Sequence, residues 1–155
     1  MRTLVKFLLI LAATNWCFAG ELSDESLLQV RIVDFKVAGS GEGHTQFWVL
    51  NAIVERTIAG DYSGDKIKFV WATHLENPRL IRPIQYVLVA TYSDDDFPAR
   101  FGTKWMAIET AIPISIVCFR TDLREMFPDA KLPEKTDIHP DDKECYKEEL
   151  YVVPE

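Results

Sequence analysis

No cluster of lysine and arginine occurs anywhere in this chain. Its 155 residues carry 17 basic against 24 acidic side chains, a formal net charge of −7. Such a surface repels phosphate backbones and anionic lipid, so nucleic acid and membrane surfaces are poor partners and a neutral or basic protein is expected. Long apolar runs are also missing. The longest is Phe7 to Ala13, far short of the roughly 20 residues a spanning helix needs, and no membrane span is expected. The catalytic signatures are absent as well. The glycines of residues 39–43 (GSGEG) have neither nucleophile-elbow nor dinucleotide spacing, and a strand rather than a helix is expected after them. The three histidines stand apart, His44 in that glycine stretch, His74 at a strand end and His139 near the C-terminus, and none lies in a recognised catalytic motif. Asp94, Asp95 and Asp96, with Asp61 and Asp65, offer oxygen ligands without the loop spacing of a calcium site. No metal and no cofactor is expected. No Asn-x-Ser/Thr acceptor follows residue 20, and no repeat or low-complexity segment is found.

What is present begins with an address. Residues 1–19 place Arg2 and Lys6 before the apolar run and small residues near Ala19, the order of a cleavable secretory signal with Gly20 as the new N-terminus. Cleavage removes both basic residues and Cys17, leaving a more acidic single domain over residues 20–155. Secretion, or delivery to a periplasm, is the expected localisation. Of three cysteines, Cys118 and Cys145 then remain where disulfides persist, and they are expected to bridge, closing a loop of about 27 residues. That bridge would tie down the tail, residues 120–155, which is rich in proline and expected to pack loosely without it.

The body of the chain reads as strands. Residues 27–37 alternate and are rich in β-branched side chains; residues 46–58 are apolar on both alternating sets, which suits a long strand shared between two sheets of a small barrel. Residues 66–75 alternate between Ile67, Phe69 and Trp71 on one side and Lys66, Lys68 and His74 on the other, and residues 84–92 are the best candidate for a central strand. Residues 93–98 read as a loop, and residues 104–109 and 112–119 as one or two more strands. Past Phe119 one helical turn is expected over residues 122–127, capped by Thr121, and a second short helix over residues 141–150. The fold class is therefore mainly β, a small five- to six-stranded OB-like barrel with short C-terminal helical segments.

Three stretches, FWVLNAIVERTIAG (47–60), DYSGDKIKFVW (61–71) and YVLVA (86–90), resemble the netrin-like, tissue-inhibitor-of-metalloproteinase type of OB-fold barrel. The resemblance implies the scaffold. It implies no inhibitory mechanism, because those inhibitors chelate a metal with an N-terminal cysteine and Gly20 has none near it; no functional residue is carried over.

With no catalytic motif, the expected function is that of an exported protein-binding module: an inhibitor, an immunity-type protein or an envelope accessory. A small extracytoplasmic hydrolase with an unrecognised site is the alternative. Nine Phe, four Trp and five Tyr exceed what one small core easily hides. The binding surface is accordingly expected at a barrel end formed by residues 39–45 and 93–103, with Phe97, Phe101, Trp105 and His44 as its contacts. The competing reading places the same rings in the core.

Overall fold

The structure, a computed structural model, describes residues 21–41, 45–73, 84–111, 116–136 and 144–147. The signal-like segment and all three histidines lie outside the described residues. Five strands, β1 (Leu22–Ser40), β2 (Gln46–Ala59), β3 (Lys66–Thr73), β4 (Ile84–Tyr92) and β5 (Trp105–Ala111), close into a barrel of order β1-β2-β3-β5-β4. All neighbours are antiparallel except β3 and β5, which run parallel.

Alternation explains the interior. Leu28, Val30, Trp48, Leu50, Ala52, Ile67, Phe69, Val87, Val89 and Ala107 point inward and form one buried cluster. The opposite faces of the strands would be wet in a bare barrel. Here two layers cover them. Helix α1 (Asp96–Phe101) sets Phe97 and Phe101 over Phe47, Val49, Val70 and Tyr92. On the other side, strand β6 (Ile116–Phe119), helix α2 (Leu123–Met126) and strand β7 (Glu144–Lys147) lay Val117, Phe119, Leu123 and Tyr146 against Leu27, Tyr86, Leu88 and Ala111. The double burial of β2 thus has a different origin from the one expected: its outer face lies beneath a helix, not in a second sheet.

Residues 93–98, expected as a loop, lead into α1. The Asp94 carboxylate accepts the Asp96 N–H at 2.8 Å, the Phe97 N–H reaches the Asp94 carbonyl, and Gly102, at φ 68°, closes the helix with its N–H on the Pro98 carbonyl. The helix expected over residues 141–150 is corrected where it is described: Glu144–Lys147 is β7, antiparallel to β6, with Cys118 directly opposite Cys145 and bonded to it. A four-residue strand held by a partner and a disulfide outweighs local helix signals. Residues 122–127 form the expected turn, but Asp122 caps it. Its Oδ1 accepts the N–H groups of Arg124 and Glu125, both at 3.0 Å, while the Thr121 hydroxyl donates to Glu109.

Those backbone donors, the Glu125 N–H foremost and with the Lys135 charge adding to them, hold Asp122 below its ordinary value of 3.8 against a smaller opposing effect of burial. A depressed carboxyl stabilises the fold above its unfolded pKa, and that stabilisation fades as pH falls through the folded value. Amide exchange at Arg124 and Glu125 should therefore be slower in the wild type than in Asp122→Ala near neutrality, with the two converging in acid. A difference that persists unchanged at low pH would contradict the cap.

Candidate functional site

The β2–β3 turn, the start of β1 and the start of β5 enclose a cleft of about 390 Å³, lined by Asp24, Glu25, Ser26, Asp61, Tyr62, Ser63, Gly64, Lys104 and Trp105.

Each wall has a local cause. Gly60, at φ 85°, lets the β2–β3 turn press against β1, where any Cβ would run into the Glu25 carbonyl and Ser26. The turn is then pinned: the Tyr62 N–H donates to Ser26 Oγ at 3.3 Å, Thr57 Oγ1 donates to the Tyr62 carbonyl at 2.7 Å, and the Tyr62 hydroxyl donates to the Lys66 carbonyl at 2.6 Å. Burial, with a contribution from Asp65, raises the Tyr62 phenol above its ordinary pKa, so it remains a neutral donor. In β1 the register against β4 shifts between Ser23 and Ser26, and Asp24 adopts φ 52°, a left-handed conformation unusual for a residue with a side chain. Thr91 Oγ1 donates to Asp24 Oδ2 at 2.8 Å and holds it there. Thr103 Oγ1 accepts the Trp105 N–H at 3.1 Å while donating to the Lys68 carbonyl at 2.5 Å, which fixes where β5 begins.

The half-buried Trp105 ring meets Tyr62 edge-on, centroids 5.2 Å apart at 77°. Lys104 swings its ammonium over the same indole, 5.5 Å from the centroid. The cleft therefore presents an aromatic wall, already occupied by a cation of the chain itself, among three carboxylates and one lysine. Among the described residues no group of three or more His, Cys, Asp or Glu is disposed to hold a metal.

The other expected contacts fall elsewhere. Phe97 and Phe101 are 1% and 3% exposed, their rings tilted against each other with centroids 4.9 Å apart and with Tyr92 and Phe47 beside them, and cannot serve as surface anchors. Spaced four apart on α1, they point the same way, onto the sheet. Trp105 belongs to the opposite face of that sheet, packed against the interior cluster. Of the two stretches, Arg100 lies beside Gly39 and over the rings of Phe47 and Phe101. His44 lies outside the described residues. Among the described residues the aromatics are shared among three clusters instead of one.

Asp24, Glu25 and Tyr62 were not legible as site residues. The one local signal was the turn GDYSGD at residues 60–65, which carries an aromatic between two aspartates. Comparison with known proteins adds no lineage: no family model matches the chain, and no curated protein or solved structure shows significant similarity to it.

Proposed function

We propose that this chain is an exported protein-binding module that takes a basic side chain of its partner into the cleft around Trp105. The observation that carries the reading is the placement of Lys104 over the Trp105 ring within a ring of carboxylates, since an arginine or lysine from outside finds the same surface and the same charge. The net acidity of the chain favours the encounter. Export is read from residues 1–19 together with a disulfide between Cys118 and Cys145, a bond that persists in oxidising compartments. Among the described residues no helix is long and apolar enough to cross a membrane.

We read the scaffold as an OB-like barrel of the netrin-like type. The closed order β1-β2-β3-β5-β4 supports that reading. In such barrels the β1–β2 and β4–β5 connections are common binding elements, and here the β4–β5 connection delivers Lys104 and Trp105.

Titration with a short arginine-containing peptide at low salt tests the proposal. Trp105→Ala should weaken binding by about 1–3 kcal/mol and Asp61→Asn by less. Lys104→Ala should leave it unchanged or tighten it, by freeing the ring. Binding indifferent to both Trp105→Ala and Asp61→Asn would overturn the proposal; because Asp61 is exposed, the second variant keeps the test independent of folding.

A further inference from the structure

The cleft holds charges of both signs that do not meet. Lys104, itself exposed, keeps its ammonium over the Trp105 indole, while Asp24, Glu25 and Asp61 line the same hollow. Among the described residues the ion pairs are Arg31–Glu55 and Lys135–Glu144, so neither this ammonium nor any of the three carboxylates is neutralised by a partner of the chain. An exposed lysine gains little from pairing with a carboxylate, and an indole face is worth about as much to it. The two signs therefore stay apart.

A cation from outside that takes the Trp105 face displaces the Lys104 ammonium, but the lysine stem stays rooted beside the ring. Two cations then share the mouth of one cleft. A carboxylate brought by the partner turns that repulsion into attraction. Resting on the reading of the cleft as a cation site, we infer that the partner presents a basic and an acidic side chain together: the first lies on Trp105 among the carboxylates, and the second pairs with the displaced Lys104. Lys104 is then a specificity-determining residue. In an extended segment, residues two apart project from one face. The element that fits is an arginine with an aspartate or glutamate two positions away.

The test uses three peptides with blocked termini, Gly-Arg-Gly-Glu-Gly, Gly-Arg-Gly-Gln-Gly and Gly-Arg-Gly-Lys-Gly. Each is titrated at low salt into the disulfide-intact protein and followed at the Trp105 indole N–H. The chain is net acidic, so charge alone ranks the lysine peptide first and the glutamate peptide last. The inference requires the reverse. The glutamate peptide should bind about fivefold more tightly than the glutamine peptide, the worth of one exposed ion pair, and the lysine peptide should bind most weakly. In Lys104→Gln that advantage should vanish and the order set by net charge return, with melting unchanged because the side chain is exposed. A glutamate peptide that binds wild type no more tightly than the glutamine peptide, or an advantage that survives Lys104→Gln, would overturn the inference and leave the cation site standing. Failure of all three peptides to shift the indole would remove both.

Discussion

Truncating Phe97 to alanine should destabilise the protein by about 3–5 kcal/mol, the range for removing a buried aromatic ring without collapse of its surroundings. The ring is 1% exposed and packs within 5.0 Å of Tyr92 and 4.9 Å of Phe101, between α1 and the outer face of β2, β3 and β5. Alanine is the better helix former, but only by about half a kcal/mol, too little to offset the cavity. A helix of six residues has no stability of its own, so the loss should appear as a lower midpoint of the whole transition in denaturant, with α1 the first segment to exchange. Phe97→Leu should cost markedly less. Since Trp105 faces the other side of the sheet, peptide binding by folded Phe97→Ala should be unchanged. A cost under about 1 kcal/mol with weakened binding would return Phe97 to the surface role that its position in a loop suggested.

Removing the Cys118–Cys145 bridge with a double alanine replacement should cost about 3–4 kcal/mol, from release of a loop of 27 residues in the unfolded chain. Alanine suits the site because Cys145 is fully buried and a serine hydroxyl there would need a partner. The loss should be uneven. β6 and β7 form a two-stranded sheet of their own, to which Lys135 adds a single bridge at Tyr146, and they reach the barrel through Val117, Phe119, Leu123 and Tyr146 on Tyr86 and Leu88. The tail keeps its polar ties, with Glu109 accepting the N–H groups of Arg120 and Thr121, Lys135 paired to Glu144, and the Tyr146 hydroxyl donating to Glu144 at 2.7 Å. Hydrogen exchange in the double variant should therefore quicken most in β7, then in β6 and α2, while β2 to β4 stay protected. Stability within about 1 kcal/mol of the wild type in both denaturant and exchange would show that packing alone holds the tail.

How far this was legible follows from the kind of signal each element carries. β3 and β4 could be read because alternation and β-branched runs are local. The double burial of β2 was visible too, but its cause was not, because the helix that covers it lies some forty residues on. That helix had a readable signature in Phe97 and Phe101 four apart, Pro98 in the first turn where its missing N–H costs nothing, and Gly102 at the end. Three adjacent aspartates and a proline read more strongly as a loop. β7 was illegible for the opposite reason: Pro140, Asp141 and Asp142 announce a helix start, and only pairing with β6 makes residues 144–147 a strand. Trp105 was found as a candidate by its place at the head of a strand. Its neighbours Asp24 and Tyr62 were not, since they come from segments brought together only by closure of the barrel and by the left-handed turn at Asp24.

The central claim is that a cation binds on Trp105, and backbone and indole ¹H–¹⁵N spectra recorded while an arginine-containing peptide is added test it most directly. The account predicts the largest shifts at the Trp105 indole N–H and at the amides of residues 24–26 and 61–64, saturating together and diminishing with salt, with α1 unmoved. Shifts centred on α1 or on the tail, or a Trp105 indole resonance that stays in place at saturation, would contradict it.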